Sequence, residues 1–183
     1  KEGTKSGRED KTEGKTKFIG YSGDNEAAEW AVRSNLFDAL QTSYSISDQR
    51  ARTRNILSEA KNSNIGIIAK RPIGNAALLG VRNHRNNSTH DSFGQAYDEY
   101  FNRVMKMSDE LDIDLNNMDP IEVSMAFSLL RDEVHVLIIG SKNLSHVQEN
   151  IKFMSQKIEK YKNTVNDYEK IFEKLDDNWR QLT

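Results

Sequence analysis

Apolar residues come in two rhythms along this chain. Short, nearly continuous runs stand at 17–23 ("KFIGYSG"), 37–45 ("FDALQTSYS"), 65–70 ("IGIIAK") and 133–140 ("EVHVLIIG"). Between them lie stretches whose apolar residues recur every three or four positions. The first rhythm predicts strands and the second amphipathic helices. A helix is expected over 24–34, with Ala27, Trp30 and Ala31 as its stripe and Asp24 or Asn25 as its cap, and another over 47–64. The helix expected over 94–111 places Tyr97, Tyr100, Phe101, Val104 and Met107 on one face. The one over 119–132 is signed by Asp119 as cap, Pro120 in the first turn and Glu122 to complete a capping box. Two more follow over 143–156 and 158–176, the last striped by Tyr161, Val165, Tyr168, Phe172 and Leu175.

Two segments lack either rhythm. Residues 1–16 carry no apolar side chain and are expected to form a disordered, charged lead-in, because they have too little to bury against the entropy of ordering. Residues 71–93 read as a long polar loop, of a length that in a compact domain usually signals function or mobility.

The order is therefore strand–helix three times, an inserted loop and helices, then strand–helix again. "IGIIA" and "VLIIG" are continuous apolar runs, as parallel strands covered on both faces require. Each strand lies too far from the next for a hairpin, so each connection is a helical crossover. The fold class is α/β, with residues 17–183 as one domain ending in a helix.

Composition narrows the function. The chain has 183 residues, 36% hydrophobic and 30% charged, with a net charge of −2 and an isoelectric point near 6.1. That balance gives no basic face for nucleic acid. There is no cysteine, hence no disulfide framework and no thiolate chemistry. The apolar runs are far too short to span a membrane, and the first residues have no apolar core of a secretory signal. A cytoplasmic protein is expected.

In parallel α/β folds, ligands gather at the carboxyl ends of the strands. Here those ends read Ser22-Gly23, Gln41-Thr42-Ser43-Tyr44, Lys70-Arg71-Pro72 and Gly140-Ser141-Lys142-Asn143, all polar. Each has a plainer reading beside the functional one. Ser22 is also a turn residue, and Ser141 and Asn143 are good helix caps. Gln41 can bond a neighbouring loop, and Lys70 and Arg71 can pair with carboxylates at the rim. Of the histidines, His84 and His90 fall in the polar loop, His135 alternates within a strand and is expected to be structural, and no metal spacing links them with His146. Tyr44 is a weak candidate for a proton donor, since no lysine is expected beside it.

The series "KFIGYSG", "FDALQTSYS", "NIGIIAKRPIGNAAL" and "VLIIGSKNLSHVQENI" resembles the aldo-keto reductases, NAD(P)-dependent oxidoreductases built on a (β/α)8 TIM barrel. The likeness covers 14–155 and implies that the four strands are the family's fifth to eighth. The chain would then be a carboxyl-terminal half-barrel, without a segment matching the Asp, Tyr, Lys and His tetrad of the family's earlier strands, and inactive alone. By the resemblance, Ser22 and Gln41 bond the nicotinamide carboxamide of NADP or NAD, although Gly23 stands where the family more often has Asn. Lys70 occupies a position often aromatic, and it or Arg71 meets the pyrophosphate. Ser141, Lys142 and Asn143 open a helix suited to a phosphate. His146, Glu149 and Asn150 match positions that grip the adenosine end, with His146 where NADPH-preferring members often carry Arg.

The implied substrate is a small carbonyl compound, reduced once a complementary amino-terminal half is supplied. Two alternatives stand beside this reading. One is a non-catalytic dinucleotide-binding or self-associating remnant, such as a homodimer, because a half-barrel leaves open edges. The other is an open doubly wound sheet for a different phosphorylated ligand, disfavoured by the lack of a Gly-rich phosphate loop.

Overall fold

A computed structural model describes residues 7, 9–86, 95–156, 158–176 and 179. Four strands form one parallel sheet in chain order: β1 (Gly20–Ser22), β2 (Ala39–Ser43), β3 (Gly66–Lys70) and β4 (Val136–Ile138). Each strand runs beside its predecessor, as crossover connections demand. All four are shorter than the apolar runs that announce them, because each run continues past the ladder into the loops at the sheet's ends.

The helices are α1 (Asn25–Arg33), α2 (Arg50–Thr53), α3 (Ile56–Asn62), α4 (Ala77–Arg85), α5 (Gln95–Glu110), α6 (Pro120–Leu129), α7 (Leu144–Met154) and α8 (Lys162–Leu175). No helix among the described residues is long and apolar enough to cross a membrane. The helix expected over 47–64 is two pieces, broken where Asn55 turns left-handed at φ 61°. The stripe expected on α1 is displaced by one position. Ala28, Ala31 and Val32 are buried, whereas Ala27 is exposed and Trp30 joins Tyr21 and Phe37 in an aromatic trio at the sheet's edge.

The segment read as a polar loop, 71–93, is largely ordered up to its described limit. Gly74–Ala76 is a 3-10 turn, and α4 follows, burying Ala77, Leu78 and Val81 against α5 and α6. Residues 87–94, with His90, lie outside the described residues. So do 1–6 and 8 of the lead-in; residues 9–12 are helical, and Lys11 Nζ reaches Asp38 at 2.8 Å.

One face of the sheet is covered. Leu40, Ile67 and Ala69 point into a core completed by α5, α6 and α8; the stripe expected over 94–111 is buried there, and so is the one over 158–176 except for the partly buried Leu175. The loop after β2 (44–49) is enclosed entirely. Gln49 Nε2 donates to Ile46 O at 3.2 Å and Tyr168 O at 3.1 Å, and Ser128 Oγ donates to Tyr44 O at 3.2 Å. A buried polar loop is tolerable when most of its groups find such partners; the Tyr44 hydroxyl is an exception. His135 has the structural role expected of it: its N–H donates to Ile67 O at 3.0 Å, and its Nδ1 accepts from Ile67 N at 3.1 Å.

The other face is not covered on both sides as the apolar runs suggest. Val136 and Ile138 are 49% and 46% exposed there. Exposed large apolar side chains are confined, among the described residues, to the two outer β/α units: Phe18 and Trp30 at one edge, and β4 with α7 at the other. On α7, Leu144, Val147, Ile151 and Met154 make an outward stripe, so this helix turns its apolar side away from the body.

Candidate functional site

Register builds the site. Ser22 pairs with Gln41, Gln41 with Ile68, and Ile68 with Val136. Partners in a parallel ladder share a face, so these four form one layer across the uncovered side. The next layer toward the strand ends is Ser43, Lys70 and Ile138. The layer before it is Gly20, Ala39 and Gly66, a floor with almost no side chain. Three residues expected at the site, Ser22, Gln41 and Lys70, therefore stand on one face in adjacent layers.

Lys70 does not stand alone. Its ammonium lies 2.8 Å from Asp24, whose other oxygen accepts from Ser43 N at 2.6 Å and Thr42 Oγ1 at 3.1 Å. The rim ion pair, the plainer reading of Lys70, is present. Asp24 stands at the N-cap of α1, as its sequence position suggests. Its side chain makes no cap bond, however, and its carboxylate instead ties the tips of β1, β2 and β3. Its position directly after the polar strand end Ser22-Gly23 is the signal that points to the rim.

Arg71 leaves the strand in a left-handed conformation, φ 56°, and its guanidinium donates to Ser43 Oγ at 3.1 Å. Its charge lies near Tyr100, whose hydroxyl burial pushes above its usual pKa. Tyr44 is no proton donor for this face. It is fully buried on the helix side against Phe127, and burial raises its pKa, opposed by the nearby charge of Arg131.

The remaining candidates sit past β4. Asn143 caps α7, its Oδ1 accepting from Ser145 N at 3.0 Å. Ser141 Oγ accepts from Asn143 N at 3.1 Å and donates to Asn143 O at 3.0 Å, so the plain capping reading holds for Asn143, while Ser141 braces the turn before the cap. Ser141, His146, Glu149 and Asn150 line a cleft of about 450 Å³ between α7 and the helices α4 and α6. Lys142 is exposed outside that lining. The candidates thus form two groups, one on the sheet face and one in the cleft. They meet at the end of β4, where Ile138 belongs to the face and the next residue, Ile139, lines the cleft.

The residue chemistry fits a dinucleotide. A hydroxyl and an amide stand side by side on the face, a cation sits one layer on, and a helix start leads to a cleft of donors and acceptors. Within the cleft, Asp119 accepts from Ile121 N and Glu122 N to cap α6. Glu122 does not close the expected capping box, because Tyr161 Oη donates to it at 2.6 Å and Lys160 Nζ at 3.1 Å. Burial pushes the Glu122 carboxyl up, but those two donors outweigh it and hold it below the usual carboxylate range.

A sequence profile of the aldo/keto reductase family matches residues 5–170. No curated protein matches the sequence. Among solved structures, the holo form of aldo-keto reductase AKR11C1 from Bacillus halodurans aligns with a TM-score of 0.62 at 18% identity, over 88% of this chain and 53% of that one. A thermostable aldo-keto reductase, Tm1743, solved with the inhibitor epalrestat, aligns with a TM-score of 0.58 at 16% identity, over 90% of this chain and 53% of that one. The chain therefore spans about half the length of these relatives, and its four strand–helix units align with that half of their (β/α)8 barrel.

Proposed function

The chain belongs to the aldo/keto reductase family, and from that premise we propose that it is the dinucleotide-holding half of an NAD(P)H-dependent carbonyl reductase. The observation that carries this reading is the register pair Ser22–Gln41, with Lys70 one layer on along the same face. When bound, the reduced nicotinamide supplies the hydride that reduces an aldehyde or ketone.

This chain's residues do the holding. The Ser22 hydroxyl and Gln41 amide offer one donor–acceptor set each to the carboxamide, fixing which face of the ring is presented. Lys70 and Arg71 stand at the rim for the pyrophosphate, Lys70 by exchanging Asp24 for it. The start of α7, with Ser141, Lys142 and Asn143, adds backbone N–H groups and the positive end of the helix dipole. Glu149, Asn150 and His146 provide acceptors and donors for the adenosine. Proton transfer to the carbonyl oxygen belongs to a complementary half bearing the Asp, Tyr, Lys and His tetrad, so the 183-residue chain is inactive alone.

The test is a fluorescence titration of the purified chain with NADPH, run beside a carbonyl-reduction assay. Saturable binding without turnover is expected. Absence of binding overturns the dinucleotide reading, and cofactor-dependent reduction by the chain alone overturns its inactivity.

The exposed apolar edges favour a second reading, a self-associating half-barrel in which copies cover each other's β4–α7 and β1–α1 flanks. Sedimentation separates the two. A concentration-dependent dimer supports self-association, and a compact monomer contradicts it.

A further inference from the structure

β4 is weakly secured. It stands at an edge of the sheet, bonds only to β3, and pairs through three residues, from Ile68 opposite Val136 to Lys70 opposite Ile138. Val136 and Ile138 are half-exposed, and the helix that follows, α7, buries only Phe153. A short ladder with few buried contacts opens easily. The bonds that fix the start of β4 therefore decide how firmly the whole β4–α7 unit is held.

His135 supplies them, one residue before the first strand pair. Its backbone N–H donates to Ile67 O at 3.0 Å, and its Nδ1 accepts from Ile67 N at 3.1 Å. The imidazole thus stands in for a strand carbonyl and lengthens the ladder. A backbone amide can only donate, so Nδ1 carries no proton in this bond and the ring proton is on Nε2. Histidine is the side chain that takes up a proton between about pH 5 and 8. A second ring proton goes to Nδ1, and two N–H groups then face each other.

The surrounding charges do not replace the lost bond. Asp132 and Glu133 precede His135 on its own segment, and Lys61 of α3 lies 4.0 Å from Asp132. Arg131 is held by Glu169 of α8, and Asp38, before β2, by Lys11 and Ile19 N. The near end of α6, residues 126–129, carries no charge. Among the described residues, none of these groups is hydrogen-bonded or ion-paired to the imidazole.

We propose that His135 is a pH-sensitive clip: a proton taken up on Nδ1 breaks its bond from Ile67 N–H and loosens β4 from β3. The opened form binds that proton more readily than the closed one, so the clip holds at high pH and is lost as pH falls. Ile139, Gly140 and Ser141 continue from β4 along the cleft, so acid loosens that wall of it. The inference stands apart from what the cleft binds.

Amide hydrogen exchange of the full chain, read by NMR from about pH 8 to about pH 5.5 and corrected for intrinsic rates, tests it. The wild type should lose about ten-fold in protection at Ile67 and along β4, the scale of one hydrogen bond, while the amides of β2 keep theirs. His135→Asn places an amide oxygen where Nδ1 stands, an acceptor at every pH, so its protection should not change with pH. Imidazole nitrogen shifts should show the proton on Nε2 at the upper end of the range. Wild-type protection independent of pH, a loss that persists in His135→Asn, an equal loss in β2, or a proton on Nδ1 at the upper end would each overturn the clip.

Discussion

The Lys70 ammonium sits 2.8 Å from the Asp24 carboxylate, and that carboxylate also receives Ser43 N and Thr42 Oγ1. One acidic side chain thus fastens three strand ends and neutralises the cation nearest the uncovered face. Asp24→Asn keeps an acceptor but removes the charge. Urea unfolding should show a loss of about 1–2 kcal/mol, the range for a part-buried, charge-assisted set of bonds. NADPH should bind more tightly to this variant, since Lys70 is released. Unchanged stability would mean that the tie contributes nothing.

Arg103 is 1% exposed, between Glu99 at 3.1 Å, Ser47 O at 3.4 Å and the ring of Trp179, whose centroid is 5.1 Å away. Burial lowers its pKa, with the Glu99 hydrogen bond working against that. Arg103→Ala leaves a cavity and strips partners from buried polar groups, so a loss of about 3–5 kcal/mol is expected in the same assay. Arg103→Met, which fills the volume, should lose distinctly less.

Gly74 has φ +51°, and a Cβ there would meet Ser47 Oγ at 2.7 Å. Ser47 is itself bonded to Ser45 at 3.0 Å within the enclosed loop and has nowhere to go. Gly74→Ala combines left-handed strain with that clash, and a cost of about 2 kcal/mol is expected in thermal unfolding. Melting at the wild-type temperature would show that the loops slide freely.

Glu122 gives the chain an acid-sensitive contact. Its carboxyl is held below the usual range because Tyr161 and Lys160 favour the ionised form over the opposing effect of burial. A carboxyl depressed in the folded state stabilises fully above its unfolded pKa and loses that contribution as pH falls through the folded one. Unfolding of wild type and Glu122→Gln should therefore differ most near neutral pH. The gap should narrow only as pH falls below the usual carboxylate range. A gap independent of pH would contradict the assignment.

The strands were legible because their apolar runs are continuous and their spacing forbids hairpins. The face shared by Ser22, Gln41 and Lys70 is fixed only by the register between strands. The helix α4 was not legible. Its buried residues Ala77, Leu78 and Val81 span little more than one turn, amid glycine and asparagine that signal a loop. Nor was the break at Asn55, since asparagine is tolerated within a helix and only packing shows that it has turned left-handed. Local sequence offers Asp24 a cap bond and Glu122 a capping-box bond to Asp119, and neither side chain makes it. Each instead reaches a group far along the chain, Lys70 and Tyr161, which no short window contains.

The central claim is that the sheet face and the α7 cleft hold the two ends of one dinucleotide. Amide chemical-shift mapping of the isotope-labelled chain with NADP tests it most directly. The account predicts perturbations at Ser22, Gln41 and Lys70 together with Ser141 through Asn150, saturating with a single affinity. Shifts confined to one group, or two groups saturating independently, would contradict it.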